Sequence, residues 1–308
     1  VSTVDSPAAG RPPAAVARRP WSRDRVERLI FGVLRWVAIA FFLLATLLPF
    51  YYMVLLSVRP IEDLLLRPDS LLVDFSELTF STYAEALRPV TDAGQGFLTF
   101  LGNSAVVASL SVVIALAVAI PGAYAVSRLS FFGRRQVSVL FLLVYLFPSI
   151  VLAIPLFVLL TQMQLRGSLI GLVLVYIAQT VPVAVYMLRN YFETIPVAVE
   201  EAALVDGLNR LGVIRRISLP LAVPSIMATA VFVFMVAWNE FLFALLFLVE
   251  RRDRWTVSLG LAQLSGSIEV PTTVLMAGSV VITVPIVLLF FFTERLLSEG
   301  LTSGADKG

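Results

Sequence analysis

Apolar residues run almost unbroken through much of this chain, and the stretches between its charges are about as long as a bilayer is thick. A hydrocarbon core of about 30 Å takes about 20 helical residues to cross. Charge-free runs of that length lie between Arg35 and Arg59, Asp92 and Arg128, Arg135 and Arg166, Arg166 and Arg189, and Glu269 and Glu294. A further run from Arg216 to Glu250 is interrupted only by Glu240. The pattern predicts an all-α integral membrane protein with six transmembrane helices, near 33–57, 100–127, 137–162, 168–189, 223–249 and 273–296. Barrel strands would instead alternate polarity over about 10 residues, and these runs do not.

Composition agrees. Of 308 residues 59% are hydrophobic and 14% charged, against roughly 25% charged in soluble domains. With no Cys and no His, disulfides, thiolate or imidazole metal sites and imidazole catalysis are all excluded, so neither a metal nor a catalytic residue is expected. A net charge of +2 gives no reason to expect nucleic acid. Residues 1–30, rich in Pro, Ala and Arg, read as a disordered tail. The first apolar run is too long, and too poor in small residues at its end, for a cleaved signal peptide.

Lys and Arg collect on the cytoplasmic side during insertion. Seven arginines precede the first predicted helix, and Arg128, Arg134 and Arg135 follow the second. With Arg189, Arg210, Arg215, Arg216, Arg295 and Lys307, sixteen basic residues fall on one side and seven on the other. Both termini are therefore expected in the cytoplasm, with 300–308 as a short tail. The cluster Arg251, Arg252 and Arg254 is a local exception.

Pro121, Pro148, Pro155, Pro182 and Pro285 fall inside predicted spans, where each removes a backbone hydrogen bond and favours a kink. Glu240 is the one acid deep in a span. Burying a carboxylate there costs about 2.5–3.5 kcal/mol on insertion scales, so it should face protein or water. It sits in Trp238-Asn239-Glu240, where one group can line a cavity while another bonds a neighbouring helix. Gln179, Tyr186 and Asn103 are weaker candidates, since one interhelical hydrogen bond would account for each.

The loop 190–222 carries the strongest pattern. Thr194 can cap a helix whose first turn holds Pro196, and Gly207 can end it. On that helix Val197, Glu201 and Leu204 form one stripe and Ala198, Ala202 and Val205 the next, a surface of small residues with one charge, suited to docking another protein. Glu201-Ala202-Ala203, Gly207, Ile217 and Leu219-Pro220 reproduce the spacing of an EAA loop, so the chain resembles the membrane subunits of bacterial ABC importers. Asn103-Ser104, Ala123-Tyr124-Ala125 with Arg128, Gly133-Arg134, Trp238 to Phe241, Gly260-Leu261 and the Gly300 to Gly308 ending narrow the resemblance to carbohydrate permeases of the maltose-transporter second-permease type.

That resemblance covers residues 30–308 and implies a type I importer permease fold in the bacterial plasma membrane. It implies that Glu201, Ala202, Ala203, Asp206 and Gly207 form a coupling helix seated in a cytoplasmic ATPase subunit, with Leu219-Pro220 leading back to the membrane. It also implies a second permease in a heterodimer, two ATPase subunits and an external sugar-binding protein. No Walker A sequence is present, so ATP and Mg are expected on the ATPase partners and no cofactor on this chain. Trp238, Asn239, Glu240, Tyr176 and Gln179 are candidate sugar contacts, or alternatively pack against the partner permease. The rival reading is an ion- or proton-coupled secondary transporter, for which Glu240 is the available titratable group.

Overall fold

The computed structural model describes residues 23–68, 70 and 78–305, without the side chains of 23–26, 142, 145 and 295–305. The expected tail 1–30 lies outside this range up to residue 22, and from Arg23 onward the chain is helical.

The chain divides after Tyr51 into two units. The first consists, where described, of most of α1 (Arg23–Ser57), a helix apolar on all faces whose large side chains are exposed, as a lipid-bathed surface requires. The second unit continues through α2 (Ile61–Leu66), α3 (Ser81–Leu87), α4 (Phe97–Arg128), α5 (Arg134–Leu146), α6 (Ser149–Gln162) and α7 (Leu169–Thr194). It ends with α8 (Val197–Val205), α9 (Arg210–Val213), α10 (Leu219–Asn239), α11 (Leu242–Leu248), α12 (Val257–Ser265) and α13 (Thr272–Ala305).

Among the described residues five helices are long and apolar enough to cross a bilayer: α1, α4, α7, the α9–α10 run and α13. Six spans were expected, and two of the predicted runs are interrupted. The predicted helix 137–162 is two helices of 13 and 14 residues, each only about 20 Å long. They part at Phe147, whose ψ of 126° is the extended conformation that the ring of Pro148 imposes on its predecessor. The other prolines singled out, Pro121, Pro155, Pro182 and Pro285, stay inside continuous helices. The predicted helix 223–249 also divides, at Glu240, into α10 and α11. α13 continues to Ala305, through much of the expected tail, and residues 306–308 lie outside the described range.

Small side chains hold the middle of the second unit together. Ser111, Ala115, Ala119 and Ala123 recur every fourth residue on α4 and are wholly buried. They form one face, against which Ala184, Val185 and Leu188 of α7 and Ala222 and Val233 of α10 pack. Without a hydrophobic force between helices in lipid, such close backbone approach is the main source of association. Towards the other end of α4 the packing is aromatic. Phe97 lies against Gly278 and Phe100 against Gly260, at positions where any Cβ would meet the ring.

Arg59 organises the segment after α1. Its side chain is fully buried, and it donates to the Asp63 carboxylate at 2.5 Å and to the carbonyls of Asp63, Arg67 and Ser70. One guanidinium thus replaces solvent for a whole irregular turn. Removing one partner of a buried pair costs about 3–5 kcal/mol. Arg59→Ala should accordingly lower the thermal midpoint of the detergent-purified protein substantially, whereas Arg67→Ala, 62% exposed at its side chain, should move it little.

Candidate functional site

The EAA segment lies where α7 gives way to α10. α7 runs on to Thr194, so the Thr194 hydroxyl donates back to the Tyr191 carbonyl and does not cap the next helix. Pro196 opens α8 in that role, with no side-chain cap. At the other end Gly207, at φ +90°, makes the left-handed stop that the sequence suggested. Leu208 N donates to Ala203 O and Gly207 N to Leu204 O, the paired bonds of a Schellman termination. Nothing lies within 4 Å of where a Gly207 side chain would begin, so its backbone angle is what calls for glycine.

Of the nine residues of α8 only Glu200 and Ala203 are buried. Val197, Ala198, Glu201, Ala202, Leu204 and Val205 all point outward, so both predicted stripes are exposed, along with Asp206 and Gly207. Among the coupling candidates Ala203 is the exception, at 7% exposure. After α9 the chain makes a π-helical turn over Ile214–Ser218 before α10, where Leu219 is half-buried and Pro220 exposed. Pro220 has no N–H to offer the preceding turn, and a widened turn accommodates the lost bond.

Sequence reasoning missed the inward-facing neighbour. The Glu200 carboxylate accepts from Arg128 Nε at 3.2 Å, Tyr124 Oη at 3.3 Å and Ser218 Oγ at 2.9 Å. Arg128 also donates to the Ile195 carbonyl at 2.6 Å. The quoted Ala123-Tyr124-Ala125 and Arg128 pattern was the available signal, but nothing in the sequence pairs it with Glu200 across more than 70 residues.

The five pathway candidates do not form one cluster. Tyr176 Oη donates to Glu240 Oε2 at 2.8 Å, and the same carboxylate accepts from the backbone N–H groups of Phe243 and Ala244. Glu240 thus ends α10 in an extended residue and caps α11, a structural use of an intramembrane charge. Trp238 is 2% exposed and stacks on Phe234 with ring centroids 5.2 Å apart. Asn239 is exposed, its amide donating to Met235 O within α10.

Gln179 stands apart, in a cleft of about 460 Å³ at the α5–α6 break, lined also by Phe147, Pro148, Ser149, Thr180 and Phe232. Asn103 and Ser104, which open the apolar part of α4, hold the segment before α12. Asn103 donates to the Asp253 and Trp255 carbonyls, and Ser104 Oγ accepts from Val257 N. The Arg251–Arg254 exception is internally tied. Arg251 pairs with Asp253, whose carboxyl these hydrogen bonds hold below the usual range, and Arg254 donates to Gly167 O at 2.6 Å.

Residues 111–301 match the family described as binding-protein-dependent transport system inner membrane component. The chain is 37% identical over 273 residues to the inner membrane ABC transporter permease protein YcjP of Escherichia coli, covering 89% of this chain and 95% of that one. It is 33% identical over 287 residues, 93% and 99% of the two chains, to the trehalose/maltose transport system permease protein MalG of Thermococcus litoralis. Among solved structures, a bacterial ABC transporter involved in the import of the acidic polysaccharide alginate superposes with a TM-score of 0.76 at 23% identity, covering 87% of this chain and 97% of that one, a likeness of fold. These matches define an ABC-importer permease, a multi-pass protein of the inner membrane. The chain belongs to the family of inner-membrane components of binding-protein-dependent transport systems.

The Glu240 arrangement yields a check. Glu240→Ala removes the α11 cap and leaves the buried Tyr176 hydroxyl unpaired, a loss of about 2 kcal/mol. Unfolding of the detergent-solubilised protein should show that loss, and a smaller one for Glu240→Gln, which keeps an acceptor oxygen.

Proposed function

We propose that this chain forms half of the translocation path of a carbohydrate importer and passes the motion of a separate ATPase to the membrane through α8. The observation that carries the reading is α8 itself, a nine-residue helix outside the apolar spans that turns all but two of its side chains outward. Outward apolar residues such as Val205, 87% exposed, beside the charge of Glu201 suit a protein cleft better than water. Glu201 there pairs with a basic group of the ATPase, Gly207 makes the turn behind it, and Leu219-Pro220 carries the displacement into α10. ATP and Mg belong to the ATPase subunits, two per complex. A second permease completes the pathway in a heterodimer, and an external binding protein delivers the solute.

Relatives named for trehalose/maltose transport in Thermococcus litoralis and trehalose transport in Mycobacterium tuberculosis support a sugar as cargo. On this chain the cleft at Pro148 with Gln179 is the best-placed of the candidate contacts, because it joins an amide to an aromatic wall at a helix break. Tyr176 and Trp238 are buried and Glu240 is tied to Tyr176 and to α11, so these three are less well placed to meet solute. The rival, ion-coupled transport, needs a carboxylate free to exchange a cation, and Glu240 already accepts three hydrogen bonds.

Glu201→Lys and Gly207→Pro should abolish uptake of the sugar and sugar-stimulated ATP hydrolysis while leaving the protein in the membrane. Wild-type uptake in both variants would remove α8 from the coupling route. Cargo is decided separately, by calorimetric screening of mono-, di- and oligosaccharides against the binding protein encoded alongside, where binding of an amino acid and of no sugar would overturn the carbohydrate assignment.

A further inference from the structure

Two adjacent glutamates open the EAA segment, and the structure sends them in opposite directions. Glu201 is exposed, whereas Glu200 is 6% exposed and faces the protein. A buried carboxylate is retained only with compensation, and Glu200 receives it from two separate parts of the chain. Arg128 and Tyr124 come from the end of α4, and Ser218 from the π turn ahead of α10. The Arg128 side chain is itself 9% exposed, and its second bond, to Ile195 O, reaches the linker between α7 and α8. One ion pair therefore joins α8, the end of α4, the α7–α8 linker and the entry to α10.

We infer that Glu200 is a positioning residue that clamps the coupling helix to α4 and to the start of α10, so that the three move as one body when the ATPase closes. This rests on the reading of α8 as the ATPase-docking helix and assigns the rigidity of the joint to a side chain that does not touch the ATPase. The physical ground is stiffness. A helix of nine residues is marginal alone and would transmit force poorly. Three charge-assisted bonds from two elements, shielded from water, fix its orientation, and a displacement applied to its outer face then reaches α4 and α10 undiminished. Gly207 and the exposed face provide no such tie.

The chain has no cysteine, so paired spin labels can be introduced cleanly. Labels at Val118 on α4 and at Val199 on α8, which is exposed and lies outside the two stripes assigned to docking, report the joint by pulsed electron resonance in the assembled complex with its ATPase, with and without ATP plus vanadate. With Glu200 present the distance peak should stay within about 2 Å between the two conditions, less than the one-turn shifts of switching elements. In Glu200→Gln, which keeps the size but leaves Arg128 an unpaired buried cation, the peak should broaden or shift on adding nucleotide. Sugar-stimulated ATP hydrolysis should fall roughly tenfold or more, with basal hydrolysis retained. Should Glu200→Gln fail to assemble, Arg128→Lys, which keeps the charge but loses the guanidinium fork, should show the same nucleotide-dependent broadening.

A peak that moves with nucleotide in the presence of Glu200, or one that stays fixed in both variants, overturns the clamp. Failure of the unsubstituted chain to co-purify with an ATPase would instead remove the docking reading beneath it.

Discussion

In a bilayer no water is available to an unpaired backbone amide, so every break in a spanning helix must be closed by the protein's own groups. That constraint accounts for most of the polar chemistry in this chain. Thr161, Thr180, Thr229, Thr283 and Thr293 each donate to a carbonyl four residues back, so their hydroxyls are spent within their own helices. Where a helix stops, a stronger acceptor or donor is used. Glu240 fills the amides that begin α11, and Asn103 and Ser104 fill the groups of the segment leading to α12. The Glu240 carboxylate therefore serves here first to close an interrupted helix, before any role toward solute.

Because hydroxyls are used locally, few polar groups are left to bind one span to another, and association falls to shape. The buried row Ser111, Ala115, Ala119 and Ala123 lets α7 and α10 approach α4 closely. Such a seam resists separation yet has no directional bonds. Direction comes from the ends, where ionic ties are made. At one end Arg128 pairs with Glu200; at the other Arg166 pairs with Glu250, and Arg254 adds a hydrogen bond to the Gly167 carbonyl.

The spans themselves were legible because length and apolarity decide them, and five of the six predicted runs overlap a long apolar helix, one of them displaced toward its N-terminus and ending at Asn239. The breaks were not. Five prolines had equal claim to a kink, and only Pro148 divides its helix; the others stay inside α4, α6, α7 and α13, an outcome set by neighbours that a local pattern does not contain. Glu240 was rightly singled out as needing a partner, yet its partners are a hydroxyl 64 residues away and two amides of its own next turn. The EAA spacing located α8 and its glycine stop, since both are local. It drew attention to Glu201, whereas the buried member of the pair is Glu200, because facing is fixed by where α4 and Ser218 lie.

The two kinds of junction differ mechanically, and that difference bears on how a push at α8 would travel. The α8 joint is braced on several sides and closed by a Schellman stop, so it has little freedom to absorb displacement. The break between α5 and α6 is unlike it. Phe147 and Pro148 carry no side-chain cap, and the gap opens onto a cleft. A chain stiff at one junction and uncapped at another yields at the uncapped one, since opening there sacrifices fewer bonds. α5 and α6 both adjoin α7, which reaches the α8 linker. On the proposed coupling route, motion delivered at the EAA segment would therefore be taken up first at the α5–α6 break, where Gln179 lines the cleft.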